Sequence, residues 1–209
     1  MHKSRTAQRI ARSTLTVLAV LTFGARSHAA SFTPGNIVLY RVGDGSGALS
    51  NNGNPVFLDE YAPSGGSAVQ SIPIGIYAQG GSGSGSGIEG LIATSTDGQF
   101  VVLTGYASTA TSPLSGTACG TGAGQVDRVV GVVRYDGNVD ITTVLGDFSC
   151  SSNPRSATST DGMNLWISGN AGGARYTTIG SSSSTAISTP TNVRQLQIFG
   201  DQLYAAVNG

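Results

Sequence analysis

Beyond residue 28 the chain contains neither lysine nor histidine. A Ser-His-Asp triad, a lysine nucleophile and a histidine-ligated zinc site are therefore excluded from residues 30–209. Charged residues make up only 11% of the chain. No run longer than about ten residues carries apolar side chains at three- and four-residue spacing without a glycine or proline breaking it, which leaves no amphipathic helix. No apolar stretch reaches the roughly 20 residues that a membrane-spanning helix needs. Clustered basic charge is missing as well: residues 30–209 carry six arginines against eleven acids, a net charge of −5. That balance argues against nucleic acid and anionic membrane as partners.

The basic residues collect at the start. Lys3, Arg5, Arg9, Arg12 and Arg26 precede any acid, and an uncharged stretch rich in Leu, Val and Ala runs from Ser13 to Ala25. Ser27-His28-Ala29 then offers small residues for a cut before Ala30. This pattern predicts a secretory signal peptide over 1–29 and a secreted location, extracellular or periplasmic. An organelle transit peptide or an uncleaved anchor is the alternative. Cys119 and Cys150 are the two cysteines. In an exported chain such a pair predicts a disulfide, here across the open end of a hairpin from Gln125 to Gly146.

The body is organised around a repeated phrase. Ala93-Thr94-Ser95-Thr96-Asp97-Gly98 returns 64 residues later as Ala157-Thr158-Ser159-Thr160-Asp161-Gly162, and each copy leads into an apolar run. Asp-Gly supplies the positive φ of a tight turn, so each copy predicts strand, turn, strand. A second hairpin type recurs at 56–72, 130–144 and 173–188, with a charged residue and a tyrosine closing its first strand: Glu60-Tyr61, Arg134-Tyr135 and Arg175-Tyr176. The two types alternate and end in a weaker copy of the first at 193–207. Internal repetition of this kind marks a repeat architecture. Phe100 to Leu103 and Leu165 to Ile167 put apolar groups on both strand faces, so both faces are expected to be covered.

Thr-Asp-Gly-x-x-apolar-x-apolar-x-Gly resembles the Ser-x-Asp-Gly-x-x-Leu-x-Val phrase of YVTN-type and TolB-type β-propeller repeats. The resemblance spans roughly 36–207 and is sharp at the two Asp-Gly units. It implies an all-β fold, a partial β-propeller of about three four-stranded antiparallel blades, with a β-sandwich as alternative. Within a domain at 30–209 the blade-like units fall at 36–75, 90–146, 156–189 and, in part, 193–209. Thr96 and Thr160 replace the usual proline, and an insert from Ala107 to Gly124 splits one blade. So short a propeller does not close its ring. Its terminal face, carrying Leu196, Ile198, Leu203 and Tyr204, is expected to be apolar and to drive self-association.

Few side chains remain for chemistry. Asp97 and Asp161 read as turn residues bonding their own backbone. Asp44-Gly45-Ser46-Gly47 and the Gly-Ser run at 80–87 lack the spaced aspartates of a calcium site. No metal or cofactor is expected. Arg155 and Arg194 each stand at the entrance of a Thr-Asp-Gly-type hairpin and suit an anionic group, the plain alternative being an ion pair with a nearby acid. Glu89 is the carboxylate best placed to act with them. The reading is a non-catalytic binding scaffold for an extracellular protein or carbohydrate. An extracellular carbohydrate- or ester-cleaving enzyme using carboxylates and arginine is one alternative, and an inactive fragment of a longer propeller is another.

Overall fold

The computed structural model describes residues 29–80, 89–109, 112–114 and 116–207. The leader assigned to 1–29 therefore lies outside the described residues except for Ala29, and so does most of the Gly-Ser run. The described residues form thirteen strands and no helix. They are β1 (Ile37–Val42), β2 (Asn54–Tyr61), β3 (Gln70–Ala78), β4 (Ala93–Thr94), β5 (Phe100–Tyr106), β6 (Arg128–Arg134) and β7 (Val139–Leu145). After these come β8 (Pro154–Ser159), β9 (Asn164–Gly169), β10 (Ala174–Thr178), β11 (Thr185–Ala186), β12 (Val193–Phe199) and β13 (Gln202–Val207). Each hairpin read from the sequence is present.

The Asp-Gly turns form for the expected reason. Gly98 and Gly162 hold φ of 70° and 75°, a region open to glycine at little cost. Asp97 Oδ1 accepts the Gln99 amide at 3.0 Å, and Asp161 Oδ1 accepts the amides of Met163 and Asn164 at 2.8 Å. Neither aspartate is left over for catalysis.

Pairing within the sheets is antiparallel, in the orders β1-β2-β3-β5-β6-β7 with β4 beside β5, then β11-β10-β9-β8, then β12-β13, and an isolated parallel bridge joins Leu91 to Ser156. A single residue pair, Tyr77 with Tyr106, joins β3 to β5. The first sheet is thus two meanders, β1–β3 and β4–β7, whose backbones pair at one point. The sequence pattern did not foresee that bridge.

Apolar clusters fill the space between successive meanders. Leu58, Ile72, Ile74 and Ile76 meet Leu103, Val129 and Val133. On the other side Val102, Val130, Val132 and Phe148 meet Ala157, Leu165 and Ile167. Beyond these, Trp166 and Ala174 meet Val193, Leu196 and Leu203. Adjacent residues of one strand thus serve opposite clusters, as the two-residue period of a strand requires. Phe100 and Trp166 belong to different clusters. Each fully buried Leu or Ile contributes about 1.5–3 kcal/mol relative to exposure.

The repeats also dock on one another through their backbones. The Thr96 amide donates to the Ser159 carbonyl at 3.1 Å, the Thr96 hydroxyl to the Thr160 carbonyl at 3.1 Å, and the Leu91 amide to the Arg155 carbonyl at 3.2 Å. The Phe100 ring lies against Gly162, where a Cβ would come within 2.8 Å of it. Further on, the Ser156 hydroxyl donates to the Leu196 carbonyl and accepts its amide at 3.1 Å. The 64-residue offset in sequence has become an offset between touching residues.

One expectation is corrected here. Leu196 and Ile198 do not line an exposed terminal face; they are buried, facing back toward the preceding sheet. The register sends the alternate residues outward instead, and Phe199 (63% exposed) and Tyr204 (55%) carry the apolar surface.

Cys119 and Cys150 are joined, at a sequence separation of 31. A loop of that length restricts the unfolded chain by about 3–4 kcal/mol in the chain-entropy model. Replacing both by serine should lower Tm by roughly 10 °C in thermal unfolding of the oxidised protein. An unchanged Tm would show that the bridge adds nothing.

Candidate functional site

The start of β8 and the start of β12 carry the residues singled out above. Arg155 is the second residue of β8 and Arg194 the second of β12. These strands lie side by side through the Ser156–Leu196 hydrogen bonds, so the two arginines stand on adjacent strands, and Arg155 reaches Asn192, two residues before Arg194. Arg155 is only 2% exposed. Its Nη1 donates to Asn192 Oδ1 and its Nη2 to Asn170 Oδ1 at 2.8 Å, while its Nε has no partner. Both partners are neutral amides.

Among the described residues, no aspartate or glutamate pairs with either arginine. The ion pairs among the described residues join Arg41 to Asp59, Arg134 to Asp136 and Arg175 to Asp147. The salt bridge considered as the plain alternative for Arg155 and Arg194 is therefore not formed. Burial holds the Arg155 guanidinium below its ordinary pKa, and the neighbouring positive charge of Arg194 adds to the effect. A buried charge without a counter-charge is costly, and Arg155 carries that cost.

Glu89 belongs to a separate polar group. Its Oε1 accepts from the Tyr106 hydroxyl and the Asn153 amide, each at 2.7 Å, and its Oε2 accepts the Gln79 backbone amide at 3.0 Å. Asn153 also reaches Gln79 Oε1 at 3.2 Å. This knot links the end of β3, β5 and the approach to β8. Tyr106, held protonated by burial and by Glu89, lies under the Arg128 guanidinium at 4.7 Å. Arg128 is wholly buried and donates to the carbonyls of Thr117, Val126 and Ser152, which ties the insert to the disulfide region.

The structure thus unites Arg155 with Arg194 and keeps Glu89 apart. Asn153, two residues before Arg155, is the link between the two groups. Among the described residues Glu89 accepts from three donors, and no second carboxylate is hydrogen-bonded to it. Gln79, Tyr106, Arg128, Asn153, Asn170 and Asn192 were not singled out from sequence. One signal was present: Asn153 follows Glu89 by the same 64 residues that separate the two turns.

Asp59 and Glu60 point to opposite sides of β2, as strand geometry requires. Asp59 pairs with Arg41 and Ser71, while Glu60 accepts from Thr33, Asn36 and Gln70. They share no site. A hollow of about 410 Å³ on the outer face of β12–β13 is lined by Gln195, Gln197, Phe199, Tyr204, Ala205 and Ala206, and includes neither arginine.

Burial raises the Glu89 carboxyl above its ordinary pKa of 4.5, outweighing the donors from Asn153, Tyr106 and Gln79. A raised acid keeps its proton longer when folded. Its contribution to stability is therefore present at low pH and lost as pH climbs from the unfolded value through the raised one. Glu89→Gln removes that loss, apart from a constant offset. Its stability relative to wild type should rise between pH 4 and pH 7 in chemical denaturation. A difference that stays flat or falls over that range would contradict the assignment.

No protein-family model matches the chain, and no curated protein or solved structure matches it either.

Proposed function

We propose that the chain is an exported binding scaffold of β-propeller type, built from YVTN/TolB-like units stacked about an axis. Its ligand is an extracellular protein or carbohydrate. The observation that carries this reading is the docking of equivalent units: residues 64 apart bond at Leu91–Arg155 and at Thr96–Thr160, and residues 40 apart bond at Ser156–Leu196. Such stacking aligns the first strands of successive units, β4, β8 and β12. The polar side chains of their entry segments then stand in a row, from Glu89 through Asn153 and Arg155 to Arg194.

The chemistry of that row favours holding over turning over. Amide, guanidinium and phenol groups position a ligand by hydrogen bonds. General acid–base work at a glycosidic bond calls for two carboxylates a few ångströms apart. Glu89 is bonded to Tyr106, Asn153 and Gln79 and to no second acid. A scaffold exported with a disulfide and a net negative body meets solutes and polymers outside the cell, and the absence of basic clusters turns it away from nucleic acid.

Titration calorimetry against a panel of extracellular polysaccharides, paired with an assay for newly released reducing ends, tests the reading. Saturable heat without product is expected. Product formation with a bell-shaped pH profile that Glu89→Gln abolishes would replace the scaffold by an enzyme. Silence in both assays, and in overlay on extracellular proteins, would retire it.

A further inference from the structure

We infer that Arg155 and Arg194 form an oxyanion subsite that takes a carboxylate or sulfate-ester group of the bound ligand. This rests on the scaffold reading, whose ligand class it narrows to acidic molecules.

The case comes from comparing the arginines within one molecule. Arg41, Arg134 and Arg175 each reach an aspartate. Arg128 lacks an ion pair, but three backbone carbonyls and the Tyr106 ring surround it, with Glu89 and Asp127 acting on its charge. Arg155 differs from all of these. It is as buried as Arg128 and, like Arg128, leaves its Nε unpartnered, yet its partners are two neutral amide oxygens and the charged group that acts on it is a second cation, Arg194, where Arg128 has Glu89 and Asp127. All eleven acids of the chain lie among the described residues, and none forms an ion pair with either arginine.

Two guanidiniums held together without an anion lose solvation and repel one another. An oxyanion that offers two oxygens cures both faults, because a guanidinium fork matches the oxygen pair of a carboxylate or a sulfate. Asn192 and Asn170 hold Arg155 through one bond each to Nη1 and Nη2. Arg194, half-buried at the start of β12, is the member a ligand meets first. The amides orient the cation without neutralising it, which leaves its charge for the incoming group.

The test measures Tm of the oxidised chain with sodium sulfate, sodium glucuronate, or glucose with sodium chloride, all at one ionic strength. Sulfate, glucuronate or both should raise Tm by several degrees in a saturable way, and glucose with chloride should not. Which oxyanion works separates a sulfate ester from a carboxylate. Arg194→Gln, a partly exposed position, should abolish the rise. Asn192→Asp places a carboxylate beside Arg155 and should raise the ligand-free Tm while removing the response to added anion. No rise with either oxyanion, or an equal rise in Arg194→Gln, would overturn the subsite. So would an undiminished response in Asn192→Asp. If the subsite fails while neutral polysaccharides still bind in calorimetry, the scaffold reading survives it.

Discussion

Burial of apolar side chains between successive antiparallel sheets is the constraint on which everything else depends. Strands β5 and β9 carry oily groups on both faces, and neither face can be left in water. Val102 and Leu103 are both fully buried although they point in opposite directions. A sheet of this kind needs a neighbour on each side, and each neighbour made of the same repeat inherits the same need. That requirement stacks the units in order and brings their first strands together. The Thr-Asp-Gly turns then touch, and the polar residues at the strand entrances converge as a by-product of the packing.

Convergence of that kind explains why polar groups are buried at the entrances at all. Ser156 bridges to the Leu196 backbone by both accepting and donating, which satisfies groups that the neighbouring strand leaves open. Asn153 does the same for Glu89 and Gln79 across the boundary between the first and second sheets. Around Arg155 the matching stops short, since amide oxygens accept from Nη1 and Nη2 but bring no charge, and Nε is left without a partner. That gap between hydrogen bonding and charge is the observation behind the proposed oxyanion subsite.

Much of this was legible in the sequence because turn chemistry is local. Asp97-Gly98 and Asp161-Gly162 announce their hairpins through the residues that make them, and the alternation of hairpin types follows from reading along the chain. The apolar pairs Val102-Leu103 and Leu165-Trp166 foretell two covered faces by themselves. Side-chain partnerships across sheets were not legible. Asn153 meets Gln79 across 74 residues and Tyr106 across 47, and nothing in a single chain sets such pairs in register except the repeat offset. The burial of Leu196 and Ile198 was missed for a related reason. Their strand alternates cleanly, but which of its faces meets the preceding sheet is decided by that sheet.

The most direct test of face-to-face stacking is the pattern of nuclear Overhauser contacts in solution. The account predicts contacts from the Thr96 amide to Ser159 and Thr160, from the Phe100 ring to Gly162, and from the Trp166 ring to Val193 and Leu196, with none between the rings of Phe100 and Trp166. Contacts between those two rings, together with loss of the Thr96–Thr160 neighbourhood, would put both aromatics in one shared core and contradict it.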